Sequence, residues 1–204
     1  MHWIVPLLLV FGFLAGFAPH DRSFGILLPV LAYAALVPFV AAMVKGRQHA
    51  PLIVAGGAVA VMTFAVSPTF APVVVGVGAS AFLLASRFGQ RLGTQLAVAG
   101  LAGIMTALVV EPAGLALGLW SYAEPGLYYG FPPVAMLTWF CATAAVVAGT
   151  LRIRLAEEVP VTSAQSTIAL LAFATGACVA AGLWPPALLG LLLLMFGFHV
   201  LHYV

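Results

Sequence analysis

The chain has 204 residues, of which 64% are hydrophobic and 6% are charged, and its mean hydropathy is +1.20. A soluble domain carries about a quarter charged residues, so this chain cannot cover itself with polar surface, and the composition excludes a soluble globular fold. The net charge of +2 comes from seven basic residues spread over loops, which gives no reason to expect nucleic acid as a partner.

The apolar residues fall into blocks of roughly 17 to 24, the length that an α-helix needs to cross about 30 Å of hydrocarbon. We therefore predict an all-α polytopic integral membrane protein, a bundle of about eight transmembrane helices in a single domain over 1–204. The pair 50–67 and 70–86 is short, and a re-entrant hairpin there would leave about six crossings. The predicted segments are 3–19, 24–44, 50–67, 70–86, 95–117, 131–150, 166–182 and 186–203.

The basic residues predict the orientation, because Lys and Arg concentrate in short cytoplasmic loops. In the predicted order of segments, six of the seven basic residues fall in loops on one side of the membrane, and only Arg22 falls in a loop on the other side. Both termini are therefore expected in the cytoplasm of a cell-membrane protein, with the loop 118–130 on the outer face. The apolar run 3–17 has no basic residues before it and is expected to be a retained first helix. The six basic residues on the predicted cytoplasmic side are Lys45, Arg47, Arg87, Arg91, Arg152 and Arg154.

The cysteines and the last histidines are expected to have structural or interfacial roles. Cys141 and Cys178 lie inside apolar runs without CxxC spacing and are predicted to be small packing residues. His199 and His202 are three residues apart but have no third ligand nearby in the sequence, so an interfacial location is expected. We predict no metal site and no cofactor.

Glu111 is an acid inside the fifth apolar segment, flanked by Val109, Val110 and Pro112. A carboxylate at such depth costs several kcal/mol, so the group is expected to stay protonated or to find a partner. Two plainer alternatives are that it reaches the interface or only forms a packing hydrogen bond. Pro112 frees a backbone carbonyl one turn earlier and is expected to kink or end the helix at the acid.

Aromatic residues and glycines follow this acid in unusual density. An aromatic belt at the membrane boundary would explain Trp139 or Tyr122 alone. A proton donor beside aromatic faces suits the protonation of an electron-rich alkene, because the rings stabilise the resulting carbocation. We predict Glu111, Tyr128 and Tyr129 as catalytic residues. The predicted substrate-binding residues are Trp120, Tyr122, Phe131, Trp139, Gly118 and Gly130.

The run from Glu111-Pro112 through Leu117-Gly118-Leu119-Trp120-Ser121-Tyr122 to Pro125-Gly126-Leu127-Tyr128-Tyr129-Gly130-Phe131-Pro132 resembles the signature of the membrane carotenoid hydratase family. The resemblance implies hydration of the terminal double bond of an acyclic carotenoid to a tertiary alcohol, without a redox cofactor. That family usually has Asp at the position of Glu111 and an Asn with a Gly-Trp step where this chain has 135–138. Cyclisation by the same protonation step, as in the related small membrane lycopene cyclases, therefore stays open.

Two other functions also remain open. A single intramembrane acid and kinked helices would serve a small transporter or channel, although no inverted repeat is visible. The abundant Gly and Ala would also permit a non-catalytic membrane subunit or a homo-oligomer. The expected partners are a lipid-soluble polyene and membrane lipid. Glu124, which is expected to be solvated, is the main rival for the role of the acid.

Overall fold

A computed structural model describes residues 10, 13–14, 77–78, 81, 84–85, 91–152 and 161–202. Four α-helices account for most of this part of the chain: α1, Leu92–Ala116; α2, Pro133–Arg152; α3, Val161–Ala180; and α4, Trp184–His202. They confirm as helices the last four predicted segments, with ends that differ by a few residues. The first four predicted segments, and with them the count of eight, lie almost wholly outside the described residues.

Helix α1 has 25 residues, which at 1.5 Å per residue is more than the roughly 30 Å of a bilayer core. In the part of the chain that the structure describes, it is the one helix that passes as membrane-spanning by length and composition. Shorter apolar stretches occur in α2, α3 and α4. The described part is thus all-helical apart from the connections.

The proline within α1 does not end the helix, so that alternative is wrong, whereas the alternative that Pro112 kinks the helix stays a prediction. Pro112 lies inside α1, which continues to Ala116. The end comes at Gly118, which has φ +67°. There the Leu119 amide donates to the Gly114 carbonyl at 2.9 Å and the Gly118 amide to the Leu115 carbonyl at 3.1 Å. This is the Schellman arrangement, which favours glycine because its φ is positive.

The chain divides into two compact units that interleave in sequence. One unit contains Met105–Leu137 and Ile168–Val204, together with Met1–Leu31, and its core includes the fully buried Phe131 and Phe173. Its helices α3 and α4 pack closely, because a Cβ on Gly190 would overlap the Thr175 side chain.

The other unit contains Ala32–Ile104 and Thr138–Thr167, and Trp139 and Val147 are fully buried in it. There α1 packs against α2 through the small residues Gly100 and Gly103, which let two helix backbones approach closely. A Cβ at Gly100 would overlap the Phe140 ring, and one at Gly103 would overlap Thr143. The expectation of a single domain stays a prediction.

Candidate active site

The carboxyl group of Glu111 lies in the interior of the protein. Its side chain is 0% exposed, and so are those of Val109, Val110 and Ala113 around it on α1. The Tyr122 hydroxyl donates a hydrogen bond to Glu111 Oε2 at 2.8 Å. A buried acid of this kind needs such a partner, because an unpaired buried polar group costs about 1 to 3 kcal/mol or more. The alternative that Glu111 reaches the interface does not fit this burial.

Tyr122 is half-buried and stands in the connection between α1 and α2. Its ring lies 6.4 Å from that of Phe131, centroid to centroid, with the planes tilted by 42°. Burial raises the pKa of Tyr122 far above its usual value, and Glu111 raises it further, through its charge when it is ionised and through the hydrogen bond. Tyr122 therefore stays a neutral phenol that donates to the acid.

The Tyr128 hydroxyl donates to the Leu108 carbonyl at 3.1 Å. In an uninterrupted helix that carbonyl would accept from the amide four residues on, but that residue is Pro112, which has no N–H. The tyrosine thus supplies the donor that the proline lacks, which is why α1 can continue through Pro112. Burial raises the pKa of Tyr128 as well. The freed carbonyl that the sequence predicts one turn before the acid is confirmed.

A tight turn places Tyr128 against α1. The Phe131 amide donates to the Tyr128 carbonyl at 2.8 Å, and the two central residues, Tyr129 and Gly130, have φ +49° and +82°. Positive φ at both central positions is the pattern of a type I′ turn, which glycine adopts freely and tyrosine does not. Such strain, of order 1 to 3 kcal/mol, is found most often at functional sites. The rings of Tyr128 and Tyr129 meet edge to face at 4.9 Å.

Trp120 packs directly on the backbone of α1. A Cβ at Gly114 would overlap its six-membered ring, and Gly114 is three residues after Glu111, which puts the two positions on one face of the helix. The Trp120 Nε1 is buried and has no hydrogen-bond partner among the residues that the structure describes. The indole therefore packs on the face of α1 that also carries Glu111, and its only polar atom has no partner among the described residues.

Other predicted site residues are placed differently. Phe131 is fully buried and faces Tyr122. Trp139 is fully buried too, but it belongs to the other compact unit. The positive φ of Gly118 and Gly130 already explains why glycine stands there. The rival acid Glu124 is exposed, as expected.

Two contacts near the acid were not predicted. Cys178, on α3, is buried and its thiol donates to the Val109 carbonyl at 3.5 Å. Gly114 provides the bare helix surface on which Trp120 packs. For the Leu108 carbonyl the sequence predicts the missing helical donor, because Leu108 lies four residues before Pro112, but not the tyrosine that replaces it. No group of three or more His, Cys, Asp and Glu that could hold a metal ion lies together within the described ranges.

The family model described as carotenoid biosynthesis protein matches residues 56–197, well over half of the chain. Neither the curated proteins nor the solved structures contain a match to this sequence. The matched range includes α1, the connection that folds back on it, α2, α3 and most of α4.

Proposed function

The chain belongs to the carotenoid biosynthesis protein family, and on that premise we propose that it hydrates a terminal double bond of an acyclic carotenoid to a tertiary alcohol. The observation that carries this proposal is the fully buried carboxyl group of Glu111, held by the Tyr122 hydroxyl at 2.8 Å. A polyene offers no charge and no hydrogen-bond acceptor. An acid that attacks it must therefore work in a dry, apolar site.

Glu111 is the proton donor in this proposal. The neutral carboxyl group is favoured because burial penalises the charged form. Since Oε2 accepts the hydrogen bond from Tyr122, the transferable proton lies on Oε1. Its transfer to the less substituted alkene carbon leaves a tertiary carbocation on the neighbouring carbon. The Tyr122 hydrogen bond then stabilises the carboxylate that remains.

Aromatic rings stabilise the cation. The negative face of each ring attracts a cation by roughly 1 to 2 kcal/mol in a desolvated site. Trp120 lies on the acid's face of α1. Tyr129 is held beside Tyr128 in the turn and is 38% exposed, so its contribution is expected to be smaller than that of Trp120. We assign Tyr128 mainly a positioning role, because its hydroxyl is engaged by the Leu108 carbonyl. Phe131 supports the Tyr122 ring.

Water completes the reaction. Its oxygen forms a bond to the tertiary carbon, and the oxonium that results gives one proton to the Glu111 carboxylate. The acid is thereby restored, and the net change is the addition of one water molecule to one double bond. A cyclase would share the first step, and an internal alkene would capture the cation instead of water.

The surrounding protein is proposed to be a membrane bundle with both termini in the cytoplasm. The apolar length of α1 supports this, as does the distribution of basic residues. A carotenoid would then enter sideways from the bilayer between helices rather than from water. Membrane lipid is the expected neighbour of exposed apolar residues of α4 such as Leu188, Leu192 and Met195.

Pigment analysis tests the proposal. The chain is expressed in a bacterium that accumulates lycopene. The extracted carotenoids are separated by chromatography, and their masses are measured by mass spectrometry. The proposal expects a product heavier by one water molecule. A product of unchanged mass with a new ring would establish cyclisation in its place. Unchanged lycopene would contradict both reactions and favour a transporter or a non-catalytic subunit.

A further inference from the structure

We propose that the indole N–H of Trp120 holds the oxygen atom of the reaction, first as the water that captures the carbocation and then as the hydroxyl group of the product. The inference rests on the proposed hydration and adds a second role to a residue otherwise assigned through its ring. It would make Trp120 the residue that directs the cation toward an alcohol.

The first argument is the unsatisfied hydrogen-bonding capacity of the indole. Nearly all buried polar groups in proteins are hydrogen-bonded, and an unpaired one destabilises the fold. The Trp120 Nε1 is buried and has no partner among the described residues. An exception of this kind, on the helix face that carries a buried acid, suggests an acceptor that arrives with the reaction. Indole N–H is a donor only, so the acceptor must be an oxygen or a similar lone-pair atom.

The second argument is position. The atoms of Trp120 closest to a Cβ built on Gly114 are Cζ2, Cη2 and Cε2, and Cε2 is the ring carbon bonded to Nε1. The N–H side of the indole therefore lies along α1, beside Gly114. Glu111 is three residues earlier, and such pairs have Cβ positions about 5 to 6 Å apart. The hydroxyl of Tyr122, two residues further along the connection from Trp120, contacts Glu111 Oε2 at 2.8 Å. The connection therefore brings the indole and the acid to the same side of α1.

The third argument is the hydrogen-bond count of water. A water molecule has two lone pairs and two hydrogens. It accepts from the Trp120 N–H with one lone pair, and the other forms the new C–O bond. Its hydrogens stay available, and one of them passes to the Glu111 carboxylate. The donor thus orients the water without consuming the lone pair that reacts. A cyclase has no use for such a donor, because no oxygen takes part in ring closure.

The test separates formation of the cation from its capture. Membranes that contain the protein and lycopene are incubated in D₂O, so that Glu111 delivers deuterium to the alkene. A captured cation appears as alcohol. An uncaptured one loses a proton to the Glu111 carboxylate and returns to the polyene, which now carries deuterium. The ratio of alcohol to labelled polyene therefore measures capture alone.

The variant Trp120→Phe keeps an aromatic face and removes the N–H. We expect it to lower the ratio of alcohol to labelled polyene by about 2- to 12-fold, the range for one hydrogen bond. A benzothienylalanine at position 120, which has indole shape with sulfur in place of N–H, should lower the ratio equally. Because this analogue keeps the shape of the indole, it separates the loss of the N–H from the loss of packing in the phenylalanine variant.

An unchanged ratio in both variants would overturn the role of the N–H while leaving the hydration intact. Variants that bind the polyene but give neither label nor alcohol would also overturn it, because they would have lost protonation. If the unaltered protein gives neither label nor alcohol, the proposed function itself fails.

Discussion

The Tyr128 hydroxyl donates to the carbonyl of Leu108 at 3.1 Å, which is the carbonyl that Pro112 cannot serve from within the helix. This one hydrogen bond supplies the donor that the Leu108 carbonyl lacks within the helix. It also fixes the connection between α1 and α2 against the part of α1 that contains Glu111. The missing N–H of Pro112 thus has a second effect: the tyrosine that replaces it holds the aromatic residues of the connection close to Glu111.

A double-mutant cycle tests this exchange of donors. Tyr128→Phe should reduce the free energy of unfolding by about 1 to 3 kcal/mol, because the partly buried Leu108 carbonyl loses its donor. In a Pro112→Ala background the alanine amide serves that carbonyl, so the same change should cost clearly less. Unfolding of the purified protein in detergent, followed by circular dichroism, gives both values. Equal costs in the two backgrounds would contradict the explanation.

Alkaline titration tests the environment of Tyr122. Because its pKa is raised in the fold, the folded protein holds a proton at about pH 11 that the unfolded chain, with a pKa near 10, has lost. The stabilisation is complete below about pH 10 and is lost as the pH rises further toward the folded-state pKa.

Near-ultraviolet absorbance of phenolate provides the measurement. At about pH 11 the folded Tyr122→Phe variant should match the unaltered protein, because Tyr122 is not ionised there. In denaturant at the same pH, the phenolate absorbance of the variant should be one fifth lower than that of the unaltered protein, since the chain has five tyrosines. A clear deficit in phenolate absorbance already in the folded variant would mean that Tyr122 titrates like an exposed phenol.

Two glycines of α1 offer a matched comparison. A Cβ at Gly114 would overlap the Trp120 ring, whereas one at Gly93 would meet nothing within 4 Å. Gly114→Ala should destabilise the protein by roughly 1 to 3 kcal/mol and shift the tryptophan fluorescence. Gly93→Ala should be neutral or stabilising by up to about 1 kcal/mol, because alanine favours helix. If the two variants had the same stability and fluorescence, the placement of Trp120 against Gly114 on α1 would be wrong.

Reporter fusions test the proposed topology. The basic residues predict that positions Gln48, Gln90 and Glu157 face the cytoplasm. Fusions of a reporter that is active only in the cytoplasm should therefore be active at all three positions, with a fusion at Glu124 as the inactive control. Periplasmic signals from any two of the three would refute this arrangement.

Sequence reasoning located the acid and its neighbourhood but not the contacts. The apolar flanks of Glu111 predict an acid within an apolar segment, but not that it is buried, because Leu101 in the same helix is exposed. The partner of the acid, Tyr122, was foreseen only as part of an aromatic wall. Which hydroxyl meets the acid depends on how the connection folds back, and that is decided by the positive φ of Gly118 and of Tyr129.

The error at Pro112 has a similar origin. The local rule states correctly that proline removes a hydrogen bond, yet it does not reveal that Tyr128, distant in sequence, replaces the donor. Tertiary contacts override a local signal of this kind. The assignment of Trp139 to the site stays a prediction. Its side chain is fully buried, and it belongs to the other compact unit.

Product formation by Glu111→Gln tests the central claim most directly, with Glu124→Gln as the matched control on an exposed acid. Glutamine keeps the size and the acceptor for Tyr122 but has no proton to deliver. Because a general acid contributes about 10² to 10⁴ in rate, Glu111→Gln should retain the bound polyene and yield almost no alcohol in the lycopene-accumulating bacterium. Glu124→Gln should produce it normally. Full product from Glu111→Gln, with none from Glu124→Gln, would contradict the assignment and transfer the acid's role to the exposed residue.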